Sequence, residues 1–309
     1  PSLRMSLEFH PVFLLPAGAF ALYKLIQWSI PGAKRQSRLS FKDKTVVITG
    51  ASSGLGEAIA KELYRRGARL ILVARSIDKL KELCASLVAE GSGLHEPKYA
   101  YLDLADPHKL EDLVKLSHTG QIDVLVNNAG MSMRGSVMET DIKVHRQLME
   151  VNYFGQVAIT RALLPFIPDD GAIVVISSMQ GKIAIPFRSA YSASKHAVQA
   201  FFDSLRSEER FGLQVLTIAA GYINTNLGQH ALDASGKPMG SGTADHNLLK
   251  GMQPAAAARK IANATESRES ELVLAPLSNR FAIFLRWWWP SLYFYVVHKR
   301  GVSERKKKE

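Results

Sequence analysis

Lys44 to Ile48 is a β-branched run that passes directly into Thr49-Gly50-Ala51-Ser52-Ser53-Gly54-Leu55-Gly56 and then into a helix-forming stretch from Glu57 to Arg66. Strand, glycine-rich turn and helix in that order constrain the chain to one supersecondary unit, the dinucleotide-binding βα turn. Glycine lets the turn close and lets the backbone approach a pyrophosphate, which then rests at the positive end of the helix. The first two glycines are four apart, a T-G-x-x-x-G-x-G spacing more distinctive than a lone glycine triplet.

A second strand is expected at Arg69 to Val73, ending in Ala74-Arg75-Ser76. A carboxylate at this point would bind the ribose 2′-hydroxyl of NAD, whereas an arginine accommodates a 2′-phosphate. No carboxylate occupies 74 to 76, so Arg75 points to NADP(H). Further strands are expected at Lys98 to Leu102, Ile122 to Val126, Ala172 to Ile176, Gln214 to Ala219 and Glu271 to Ala275. Helices are expected over Lys79 to Leu87, through Asn152, from Tyr191 to Arg210 and over Pro254 to Ala264. This alternation predicts a single Rossmann-type α/β domain, a doubly wound parallel sheet covered on both faces. Its expected bounds are 41–278, with a small, polar, glycine-containing lid around 227–252.

Within that frame Tyr191-Ser192-Ala193-Ser194-Lys195 places a phenol and an amine one helical turn apart. A fixed ammonium is expected to draw the phenol below its usual value near 10 and make it a general acid/base. Together with the glycine turn, Asn127-Asn128-Ala129-Gly130, Ser178 and the turn Gly221 to Thr225, these residues resemble the short-chain dehydrogenase/reductase family over roughly Lys44 to Ala275. The resemblance implies a catalytic set of Asn152, Ser178, Tyr191 and Lys195. In it Ser178 orients the substrate carbonyl, Tyr191 protonates it, Lys195 lowers the tyrosine pKa and holds the nicotinamide ribose, and Asn152 positions a relay water. It also implies cofactor contacts at Gly50, Ser52, Ser53, Gly54, Leu55, Gly56, Arg75, Asp103, Asn128, Tyr191, Lys195, Ile223 and Thr225. Ala220-Gly221 departs from the family's usual Pro-Gly. Stretches around the site, including Asn152 to Gly155 and Pro186 to Tyr191, resemble a membrane-bound branch linked to reduction of acyl- and alkyl-dihydroxyacetone phosphate. Hydroxysteroid or retinol dehydrogenases on the same fold are the alternative. Lys182 and Arg188 flank the site and are either cations for a substrate phosphate or simply solvated side chains.

The single cysteine, Cys84, excludes an internal disulfide and a cysteine-built zinc site. The histidines show no metal-ligand spacing, so no metal is expected. The formal net charge of +11 admits nucleic acid or an anionic membrane, but no base-reading or stacking element accompanies it. Basic clusters instead adjoin apolar stretches, at Lys34 to Arg38 and at Arg305 to Lys308, which favours a membrane surface. Pro11 to Ile30 reads as a retained anchor within an N-terminal segment 1–40, or as an interfacial helix. Residues 279–309, with Trp287-Trp288-Trp289, read as a second membrane-resting element, or as a core or dimer helix. Lys306 and Lys307, fourth and third from the end, resemble a retrieval signal of the endoplasmic reticulum. The expectation is that membrane, with the catalytic domain cytosolic, the peroxisomal membrane being the alternative. A lipid-like carbonyl substrate and a possible homodimer complete the expected partners.

Overall fold

The computed structural model describes residues 18–23, 25, 26, 29, 36–91, 95–240 and 250–306. Seven strands form one sheet: β1 (Thr45–Thr49), β2 (Arg69–Ala74), β3 (Lys98–Tyr101), β4 (Val124–Asn127), β5 (Ala172–Ile176), β6 (Gln214–Ala220) and β7 (Glu271–Leu274). Their order is β3-β2-β1-β4-β5-β6-β7, and every neighbouring pair is parallel. Val46 of β1 is opposite Leu70 on one side and Val124 on the other, so the chain winds outward in both directions from the β1/β4 junction. That reversal opens a crevice beyond the carboxyl ends of the strands, where ligands of open α/β sheets bind.

Helices cover both faces, which is why β1, β4, β5 and β6 are buried along their whole length. One face packs under α1 (Gly54–Arg65) and α2 (Ile77–Glu90), with Ile59, Leu63, Leu80 and Leu87 against Val46 and Leu72. The other lies under a short α3 (Asp112–Lys115) and, beyond α4 (Ile142–Met149), whose Val144 and Leu148 pack with Ala190 and Tyr191 rather than on the sheet, under α5 (Gly155–Leu163) and α6 (Ser189–Glu208); here Ile159, Leu163 and Phe202 meet Val47 and Ile173. The chain then forms α7 (Pro254–Glu266), which joins the first face, and a C-terminal pair, α8 (Leu277–Trp288) and α9 (Pro290–Lys306).

Two local departures from the sequence reading have visible causes. The fourth strand begins at Val124 rather than Ile122, because the Asp123 carboxylate accepts from Lys44 Nζ at 2.7 Å and from the Thr45 amide at 2.8 Å. The expected long helix through Asn152 is interrupted by a π turn, Glu150–Phe154, between α4 and α5. At its end a Cβ on Gly155 would lie 2.3 Å from the Leu104 carbonyl oxygen, so the helix passes this loop only with glycine there.

Among the described residues no helix is long and apolar enough to cross a membrane. The expected anchor over 11–30 falls largely outside the described residues, as do 241–249 of the expected lid and Lys307 of the tail signal. Residues 227–240 are held in place: Leu232 exchanges backbone hydrogen bonds with Ser132 and Arg134, and the Asp141 amide donates to Ala234.

Candidate active site

The crevice collects the strand ends. The glycine turn leaves β1 with Gly50 and Gly54 at positive φ, +64° and +59°, where a side chain would be strained. Space is the second constraint, since a Cβ on Gly56 would meet Gly50 O at 2.3 Å and Asn128 Nδ2 at 2.5 Å. Asn128 fastens the turn from β4, donating through Nδ2 to Thr49 O at 2.9 Å and Gly50 O at 3.2 Å. Thr49 Oγ1 accepts in return from the amides of Asn128 and Ala129, both at 2.9 Å. The Nδ2 group of Asn128, a residue expected as a cofactor contact, is thus engaged in shaping the turn. Thr49 belongs to the site although the sequence marked it only as the first letter of the motif.

A dinucleotide fits this cradle. Ser53 is the N-cap of α1 but makes no side-chain capping bond, leaving first-turn amides for an anion. Arg75 is exposed just beyond β2, with no partner among the described residues. Asp103 follows β3, and its carboxylate accepts from the Ala105 amide at 2.9 Å. Ser52 and Leu55 are half-buried on the turn. A Cβ on Gly54 would lie 3.3 Å from Thr225, so the glycine turn meets the turn after β6. That second turn is clamped by Met252, whose amide donates to Tyr222 O and whose carbonyl accepts from the Asn224 amide, both at 2.9 Å, with Ile223 bridged beside them.

Across the crevice, α6 presents Tyr191 and Lys195, both buried, with Nζ 5.9 Å from the ring centroid. Lys195 Nζ donates to Ile176 O at 2.9 Å. Ser178, the cap of the 3-10 turn Met179–Gly181, accepts from the Gln180 amide at 3.1 Å and donates a long 3.3 Å bond to Ala220 O. Asn152 is wholly buried. Its Nδ2 donates to Met131 O and Ser194 Oγ, both at 2.9 Å, and its Oδ1 accepts from the Met131 amide at 2.8 Å. One Oδ1 lone pair is left for a relay water. Gly130 keeps that space open, because a Cβ there would stand 3.1 Å from Asn152 Oδ1 and 3.6 Å from Lys195 Nζ. Ser194 ties Asn152 to α6 and then donates to Tyr191 O at 2.8 Å, a link hidden within the Tyr-x-x-x-Lys spacing.

The electrostatics differ from the expectation that Lys195 draws the phenol down. Burial pushes the Tyr191 phenol above its ordinary value, opposed by the Ser178 hydroxyl and the charge of Arg188. Burial also lowers the Lys195 ammonium from 10.5 to about 8. Of the two expected phosphate-binding cations, Lys182 is committed elsewhere: Nζ lies 2.8 Å from Glu271 Oε2, eighty-nine residues on, and its side chain is only 18% exposed. Arg188 caps α6 close enough for its charge to act on the phenol.

A parallel, doubly wound sheet with a glycine turn at the switch point and a Tyr–Lys helix facing it defines a nicotinamide-dependent dehydrogenase or reductase. A family model described as short chain dehydrogenase matches residues 44–235, and the chain belongs to the short-chain dehydrogenase/reductase family as an NAD(P)-dependent oxidoreductase. Among its relatives, the Dehydrogenase/reductase SDR family member 7B of Xenopus tropicalis is 42% identical over 307 residues, covering 97% of each chain. The protein of the same name from Mus musculus is 41% identical over 297 residues, 94% of this chain and 90% of the relative. Among solved structures, a Thermococcus sibiricus alcohol dehydrogenase complexed with 5-hydroxy-NADP matches with TM-score 0.64 and 28% identity, covering 75% of this chain and 96% of its own.

Proposed function

We propose that the protein is an NADPH-dependent carbonyl reductase acting on a lipid-like ketone at a membrane, with acyl- or alkyl-dihydroxyacetone phosphate as the candidate substrate. The observation that carries the reading is the convergence of Ser178, Tyr191, Lys195 and Asn152 at the mouth of a cradle whose β2 end offers Arg75 and no carboxylate. Arg75 supports NADPH over NADH by offering a guanidinium for the 2′-phosphate. When bound, the dinucleotide supplies the hydride.

The chain's own residues supply the proton and the orientation. Ser178 exchanges its long bond to Ala220 O for a shorter one to the substrate carbonyl and fixes its direction. A phenol held protonated by burial is a donor, so Tyr191 is set to give its proton to the oxygen as charge develops there. Lys195, with a proton affinity near the working pH, replenishes it, and Asn152 and Ser194 hold the helix at that separation. The relatives named as member 7B support a shared branch, and the exposed aromatic C-terminus supports a lipid environment.

The test is NADPH oxidation by detergent-solubilised full-length protein with palmitoyl-dihydroxyacetone phosphate, a ketosteroid and retinal in parallel, with Tyr191→Phe as control. Tyrosine-dependent turnover confined to the phosphorylated ketone establishes the reading. Turnover confined to steroid or retinal replaces it with a steroid or retinoid dehydrogenase.

A further inference from the structure

The C-terminal helix pair divides into two unlike faces. Inward, Ile283 and Leu285 of α8 and Tyr293 and Val297 of α9 pack on Met179, Ile183 and Ala219, next to the catalytic serine. Tyr293 Oη donates to Ala184 O at 2.7 Å, Arg300 reaches Tyr222 Oη at 3.4 Å, and Gly301 lies against Pro186. The pair is therefore joined to both loops that frame the crevice, the one before Tyr191 and the one after β6.

Outward, Leu277, Phe281, Phe284 and Trp288 fall at i, i+4, i+7 and i+11, one helical stripe, and all are more than half exposed. Phe281, Phe284 and Trp288 stack in series at 5.7 Å. Beside the stripe, Trp287 and Trp289 are 74% and 62% exposed, and Phe294 and Tyr295 of α9 are exposed as well. Cations are interleaved with the rings: Arg286 lies 4.9 Å from the Phe294 centroid and Lys299 Nζ 4.5 Å from that of Tyr295, with Arg305 and Lys306 exposed at the end. A contiguous aromatic surface of this kind is costly in water, and its mixture of indole rings and cations matches the headgroup region of a bilayer rather than a protein core.

We infer that α8 and α9 dock on an anionic phospholipid surface and hold the substrate mouth against it, so that a lipid ketone enters the crevice from the membrane. The docking stands on the exposed face alone; the entry route rests on the lipid-ketone reading. Only four tryptophans are present, Trp28 and the three of this patch, so Trp28→Phe in the full chain makes indole emission a report on Trp287 to Trp289. With vesicles of phosphatidylcholine and phosphatidylserine, the expected result is a blue shift and quenching when the acyl chains are brominated. Emission unchanged by vesicles overturns the inference. So does a blue shift that grows with protein concentration without lipid and is not quenched by bromine, which would make the patch an interface between copies. Equal quenching by phosphatidylcholine alone overturns the commitment to anionic lipid. For the entry route, Phe281→Glu with Trp288→Glu is expected to lower kcat/KM for a vesicle-borne ketone on the order of tenfold, leaving a water-soluble ketone unchanged. Equal effects on both overturn it, while absence of turnover on any lipid ketone refutes the substrate reading and leaves the fluorescence result standing.

Discussion

Replacing Lys195 by methionine should abolish turnover and stabilise the protein. In the fold this ammonium is buried and its proton affinity falls from 10.5 to about 8, with burial as the cause. Where both folded and unfolded chains are protonated, that lowering costs the folded state roughly 3 kcal/mol, at about 1.4 kcal/mol per pH unit. Methionine keeps the length of the side chain and removes the charge. It also removes the 2.9 Å bond to Ile176 O, a loss of about 1 kcal/mol. The net expectation at pH 7 is a variant more stable by about 2 kcal/mol. Between pH 8 and 10.5 the unfolded lysine still holds a proton that the folded one has lost, so wild-type stability rises with pH relative to the variant. By pH 9.5 the penalty is about 1 kcal/mol and the advantage has largely vanished; below pH 8 it is flat. Urea denaturation of the cofactor-free protein, followed by far-UV circular dichroism at pH 7 and 9.5, measures both values, and the difference between proteins cancels titrations they share. A variant less stable at pH 7, or an advantage that does not shrink by pH 9.5, refutes the account of Lys195 as a charge held at the expense of the fold.

The remaining predictions concern the cradle and its rim. Gly56→Ala forces a Cβ into Gly50 O and Asn128 Nδ2, so it should lower stability by about 1–3 kcal/mol and abolish NADPH binding, checked by thermal melts and fluorescence titration. Arg75→Glu should lower the NADPH over NADH preference in kcat/KM by about a hundredfold, from loss of a charge-assisted contact and gain of a repulsive one. Lys182→Met should leave KM for the phosphorylated ketone within about twofold and cost at most about 1 kcal/mol, because its ammonium serves Glu271 near the surface. Gly130→Ala should depress kcat more than it weakens NADPH binding, measured by steady-state kinetics and fluorescence titration, since its Cβ crowds Asn152 Oδ1 at 3.1 Å, makes only ordinary contact with Lys195 and leaves the glycine turn untouched.

What the sequence revealed and what it hid divide along a physical line. The inner strands were legible because burial on both faces demands continuous apolar runs, as in Val46-Val47-Ile48 and Val215-Leu216-Thr217-Ile218, whereas the edge strand Lys98–Tyr101 is largely exposed and carries no such run. The cradle was legible because positive φ and forbidden Cβ positions admit only glycine at Gly50 and Gly56. Commitments made across long separations left no local trace. Lys182 looked like a free cation because nothing near it in sequence announces Glu271, and Tyr293 looked like one more aromatic of an apolar tail although its hydroxyl binds Ala184, one hundred and nine residues earlier. The helix break at Asn152 was partly audible, since an asparagine there competes with helical geometry, but only the fold shows its amide claimed by Met131 and Ser194. The pair at 191 and 195 is the sharpest case: its spacing placed an ammonium beside a phenol, yet the sign of the phenol's displacement depends on burial, which outweighs the neighbours opposing it. A motif can therefore name the groups that exchange a proton, while the direction in which each is poised is a property of the surrounding fold.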